Sequence, residues 1–134
     1  MDIEHIIERI ESIDWYAYSG SPWYRPDEVA PILRRLANLQ EDSETYSDSM
    51  SHFVLSTIGN DHAGTYYPAI QAALDILINI AAQKENALAR SVALAILDEL
   101  TCFQADLEGY TEITAENLKS WVDEKLKPYN LDDD

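Results

Sequence analysis

The chain has 134 residues, 46% of them apolar and 25% charged, with 25 acids against 9 lysines and arginines and a formal net charge of −16. That length suits one domain with its own core, and the charge argues against nucleic acid, whose binding needs a basic footprint, and against an anionic membrane. One cysteine, Cys102, excludes an internal disulfide framework and a multi-thiolate zinc site, and four glycines with five prolines leave little room for a turn-rich β fold or a phosphate-cradling loop.

The start, Met1-Asp2-Ile3-Glu4-His5, carries acids where a secretory signal needs a positive segment. The expectation is a cytoplasmic protein. Ile3, Ile6, Ile7, Ile10 and Ile13 recur at three- and four-residue steps with Glu4, Glu8, Arg9 and Glu11 between them, which predicts an amphipathic first helix. A second helix is predicted over 26–39, with Val29, Leu33, Leu36 and Leu39 on one side. Pro26 suits its first turn, and Asp27 and Glu28 complement the positive end of its dipole. Pro31 either kinks this helix or marks its start. A third helix is predicted over 43–58, with Tyr46, Met50, Phe53, Val54 and Leu55 as its apolar members.

The fourth helix, 66–83, has Gln71, Asp75, Asn79 and Gln83 as its polar positions after the first turn, spaced by four. One narrow wet stripe on an apolar cylinder predicts a central, largely buried helix. Thr65 is the expected N-cap, with Pro68 in the first turn. In the fifth, 86–104, Leu88, Val92, Leu94, Ala95, Ile96, Leu97, Leu100 and Phe103 cover most of the circumference, and Cys102 is expected to be a buried, inert thiol. The sixth begins near Thr114 and buries Leu118, Trp121 or Val122, and Leu126 before Pro128 ends it. No segment alternates with period two, so the expected class is all-α: one helical domain over 1–128 and an acidic tail over 129–134.

The helices fall into three helix–loop–helix units, 3–39, 43–83 and 86–127. Their lengths are near those of HEAT or armadillo repeats, about 40 residues each. Three antiparallel pairs would stack as a short HEAT-like α-solenoid; the alternative is a plain helical bundle.

No catalytic constellation emerges. Asp48 and His52 lie four apart and would share a helix face, either as two metal ligands or as a solvated pair, and no third ligand has the characteristic spacing. Ser19-Gly20-Ser21 lacks the strand–turn–helix context of a nucleophile elbow. Asp98 and Glu99 are adjacent and point apart. No enzyme activity, metal or cofactor is expected; an enzyme using Asp48, His52 or His62 with a metal is the third reading, checked by elemental analysis.

Two loops and the charge pattern point to binding instead. Trp15, Tyr16, Tyr18, Trp23 and Tyr24 put five aromatic rings into residues 15–24. Trp and Tyr dominate binding hot spots because a rigid ring buries large area at small entropic cost. About half of these rings, Trp15 and Tyr67 foremost, are expected to pack under the loops. The second loop, 59–67, is rich in hydrogen-bonding groups, with His62 either bonding loop backbone or facing a partner. From Leu36 to Gln83 six acids (Glu41, Asp42, Glu44, Asp48, Asp61, Asp75) occur without a base, and from Ser91 to Leu118 six more (Asp98, Glu99, Asp106, Glu108, Glu112, Glu116). Such runs repel themselves and steer a cationic partner.

The run Ile58-Gly59-Asn60-Asp61-His62-Ala63-Gly64-Thr65-Tyr66-Tyr67-Pro68-Ala69, leading into an apolar helix, resembles a signature of small HEAT-like bacterial proteins. Some of these are similar to immunity proteins of polymorphic or contact-dependent growth-inhibition toxins. The likeness covers chiefly residues 52–104, and Asn60, His62, Gly64, Thr65 and Tyr66 fit its motif, which either stabilises the loop or touches the partner. The resemblance implies a protein encoded beside a toxin gene that neutralises the toxin by stoichiometric occlusion; such toxin domains are frequently basic nucleases. The expected partner is therefore a basic toxin domain. The expected contacts are Glu41, Asp42, Glu44 and Asp48 for electrostatics, Tyr18, Trp23, Tyr24 and Tyr66 as anchors, with Asp61 and His62 between them. The runner-up is a HEAT-like adaptor in a cytoplasmic assembly.

Overall fold

Asp2 opens the first helix, α1 (Ile3–Ser12), by accepting the His5 backbone N–H at 2.9 Å. That bond, first of all, holds the Asp2 carboxyl below the usual carboxylate range. The computed structural model describes residues 2–18, 22–39, 44–105 and 115–129. Ile6 and Ile10 of α1 face the core. A 3-10 turn, Trp15–Ala17, folds back onto the helix end, where the Trp15 indole N–H donates to the Ile10 carbonyl at 3.2 Å.

The second helix, α2, runs Pro26–Ala37 and contains Pro31 in its interior. The helix continues through this proline, which has no N–H to give the Asp27 carbonyl four residues earlier. Acids in its first turn and Arg34 and Arg35 in its last complement the helix dipole. Arg34 also pairs with Glu11 of α1. The third helix, α3, spans Glu44–Ile58 and buries Met50, Val54, Leu55 and Ile58. Phe53, one of the apolar members that the sequence gives this helix, is exposed. It stands one position off the buried 50/54 row, about 100° around the helix.

Between α3 and the fourth helix the chain makes β1 (Gly59–Asn60) and β2 (Thr65–Tyr66), paired antiparallel, and β3 (Gln104–Ala105) joins β2 in parallel. Strands of two residues carry no alternation to read. A β carbon on Gly59 would lie 2.2 Å from the Thr65 carbonyl oxygen, so only glycine admits this pairing. Gly64 closes the turn at φ +70°, its N–H bonded to the Asn60 carbonyl at 2.9 Å. Thr65 is therefore a strand residue rather than an N-cap. The fourth helix, α4, begins at Ile70 after the backbone cap Ala69 and runs to Ala82.

Along α4, Ile70, Ala73, Leu74, Ile76, Leu77, Ile80 and Ala81 are buried. Gln71, Asp75 and Asn79 form the half-buried stripe. The fifth helix, α5, covers Ala87–Leu100 and the sixth, α6, Ala115–Leu126. Leu94 leaves α5 exposed on one side, and Cys102 lies in the turn beyond its end, exposed rather than buried. In α6 the buried residues include Leu118, Val122 and Leu126, with Trp121 only half-buried. A 3-10 turn, Lys127–Tyr129, follows, and Tyr129 packs against the core rather than belonging to a tail.

The architecture is all-α: six helices among the described residues, with packing between neighbouring helices as in a bundle or a solenoid. α4 packs most extensively on α5, α3 on α5 and α2, and α1 on α2 and α4. One core cluster runs through all six helices. No helix among the described residues is long and apolar enough to cross a membrane.

Candidate partner-binding surface

The aromatic first loop divides into an inner and an outer set. Trp15 is buried, and Tyr18 is half-buried with its ring centroid 6.4 Å from that of Trp15. Tyr24 donates its hydroxyl to the Trp15 carbonyl at 2.6 Å and meets the Tyr67 ring edge-on, 5.7 Å between centroids. Burial raises its phenol pKa, which keeps the donated proton in place. The contact with buried Tyr67 joins the two loops that the sequence singled out. Tyr16 and Trp23 form the outer set, 70% and 68% exposed.

The expected anchors thus part company. Trp23 is largely exposed, and Tyr18 and Tyr24 are half-buried. Tyr66 is fully buried, and burial pushes its phenol up to about 12. It is a core residue of β2, with no exposed surface to offer as an anchor. The expected packing of Trp15 and Tyr67 is observed.

The second loop is held by one contact to α3 and by polar groups of its own. His52 Nδ1 of α3 lies 2.7 Å from the Asp61 carboxylate. The Asn60 side chain accepts the Ala63 N–H at 3.1 Å. Asp61 is thereby tied to α3, its side chain 19% exposed, while His62 is exposed. Glu41 and Asp42 lie outside the described residues. Glu44 and Asp48 stand in the first half of α3, and their side chains are likewise outside the description. Among the described residues no group of three His, Cys, Asp or Glu side chains is arranged to hold a metal ion.

A groove of about 510 Å³ lies between α2 and α3. From α2 it takes Asp27, Glu28, Pro31, Ile32 and Arg35, the last four at helical spacing on one face; Trp23 and Arg25 precede the helix, and Phe53, Ser56 and Thr57 come from α3. Thr57 turns its hydroxyl back to the Phe53 carbonyl at 2.7 Å. Exposed Trp23 and 49%-exposed Phe53 are its aromatic walls. Of the expected contacts only Trp23 lines it. Sequence reasoning missed the other members because the spacing 28/31/32/35 and 53/56/57 becomes a site only when α2 packs on α3.

No family model, curated protein or solved structure matches the chain. Among the described residues the exposed rings Tyr16 and Trp23 stand in the turns between α1 and α2, and Phe53 on α3.

Proposed function

We propose that this chain is a stoichiometric binding partner of a basic protein domain, in the manner of an immunity protein that occludes a toxin. The observation that carries the reading is the charge: −16 overall, with residues 36–83 holding six acids and no base. Carboxylates take the place of the phosphates that a basic nuclease would bind, and exposed aromatic rings exclude water at the centre of the contact. Exposure of Trp23 and Tyr16 beside an ordered core supports this division of labour. The resemblance of the 58–69 run to small HEAT-like bacterial proteins, some of them similar to immunity proteins, supports the choice of a toxin as the partner.

The test is to read the gene next to this one and co-express its product. A secreted protein ending in a short basic domain, whose toxicity this chain relieves by forming a 1:1 complex, is the expected result. A neighbouring housekeeping gene, or a basic domain that stays toxic in the presence of this chain, would overturn the reading.

A further inference from the structure

The solvent face of α2 differs in charge from the rest of the chain. Asp27, Glu28, Pro31, Arg35 and Asn38 are exposed along it at steps of about one helical turn, and exposed Arg25 stands just before them. The two acids and the two arginines cancel, on a chain whose net charge is −16. Their order matters more than their sum. The carboxylates lie at the start of the stripe and Arg35 at its end, with uncharged Pro31 midway and buried Ile32 beside it. The midpoint between Glu28 and Arg35 falls at residues 31 and 32, so the face is complementary to itself turned end for end. A surface of one sign does not satisfy it: a basic one meets Arg35, and an acidic one meets Asp27 and Glu28. α1, by contrast, exposes Glu4, Glu8 and Glu11 against Arg9, and two copies of that face would repel.

From this we infer that α2 packs antiparallel on α2 of a second copy of this chain, about a two-fold axis between Pro31 and Ile32. Isologous contacts of this kind are the commonest way for identical chains to pair. The axis sets Glu28 opposite Arg35 of the second copy, and Arg35 opposite its Glu28, so one pairing is made twice. Arg25 falls opposite Asn38 of the second copy, at the negative end of that helix dipole. Arg35 already interacts within its own chain. A guanidinium has five N–H donors, so it can hold a further carboxylate without leaving that contact. The centre has no charged side chain to desolvate, and partly exposed Phe53 of α3 borders it. Long-range repulsion between the two acidic chains is screened beyond about 8 Å at physiological salt, which leaves the local pairing to decide. One helix face covers less than the ~800 Å² per chain of a stable complex, so the dimer is weak, on the order of 10–100 µM. The inference does not depend on the reading of the chain as partner of a basic protein.

The experiment is sedimentation equilibrium of the full chain at physiological salt, from about 5 µM to about 1 mM, a range that brackets such an affinity. The parent is expected to pass from monomer to dimer. Glu28→Arg and Arg35→Glu each set like charges across the axis and are expected to weaken that step at least about tenfold. Mixed in equal amounts, the two variants are expected to pair with one another and restore the dimer, because each supplies the sign that the other has lost. An unfolded chain could not do this, so the mixture separates pairing from folding. Pro31→Glu places two carboxylates at the axis while removing a proline from the helix interior, so dimerisation should be lost at an undiminished melting temperature. A monomer across the whole range overturns the inference. So does a dimer indifferent to these substitutions, or a loss in the single variants that their mixture does not recover. In each of those outcomes the reading of the chain as partner of a basic protein still stands.

Discussion

Two helix junctions of this molecule have opposite characters. At α4–α5 the buried alanines Ala73, Ala81, Ala89 and Ala93 take little width, and this is the most extensive helix pair. The corner between them is closed by two amides. Buried Gln83 donates to the Asn86 carbonyl at 2.7 Å and accepts the Asn86 N–H at 2.8 Å. Asn86 in turn caps α5 through the Ala89 N–H at 3.1 Å and donates to the Leu39 carbonyl, beyond the end of α2, at 2.7 Å. Every arm of the corner has a partner. At α2–α3 the same kind of contact is left ajar, with rings exposed and carboxylates without ion pairs among the described residues. Polar groups buried in a corner must be satisfied or they cost stability. Groups at an open groove need no such satisfaction, and they remain available for a partner.

That contrast is open to direct attack. Leu77→Ala, at the centre of the closed junction, should lower unfolding free energy by about 2–5 kcal/mol, read by urea titration. A cost under about 1 kcal/mol would mean that α4 is not central. Asn86→Ala removes a helix cap and leaves the Leu39 carbonyl without the side-chain donor, while the Gln83 amide keeps its two bonds to the residue 86 backbone. It should cost about 1–3 kcal/mol, and Asn86→Asp, which keeps only the cap, should recover part of the loss. Trp15→Phe keeps a buried ring but loses the indole bond to Ile10, for which about 1 kcal/mol is expected in thermal unfolding. Trp23→Ala and Phe53→Ala should stay within about 0.5 kcal/mol of the parent, as surface substitutions do. Equal losses at Trp15 and Trp23 would erase the distinction between inner and outer rings.

The helices were legible because each carries an apolar stripe at the helical period: 3/6/7/10 in α1, 29/33/36 in α2, the four-residue polar spacing in α4. The Asn86 cap lay at the start of the predicted fifth helix. The small sheet was illegible, since two-residue strands give no period and their pairing depends on a close approach at Gly59. Thr65 was assigned as a cap for the same reason: its residue type suits either place, and only the pairing with Asn60 decides. The aromatic loop was legible as a group and not ring by ring, because Trp15 and Trp23 differ in burial only through what folds over them. Phe53 shows the limit most clearly. An apolar residue one step off the buried row reads as core in a sequence, and its exposure is set by the neighbouring helix leaving it uncovered.

The proposed capture of a basic partner by acidic charge is tested most directly by the association rate. Stopped-flow mixing with the proposed basic partner, taken from the neighbouring gene where that gene encodes one, would compare the parent with a variant carrying lysine at Glu41, Asp42, Glu44 and Asp48, over a range of salt. The account predicts slower association of the variant and a flatter salt dependence, because steering depends on unscreened charge. An unchanged rate with an unchanged salt slope would contradict it.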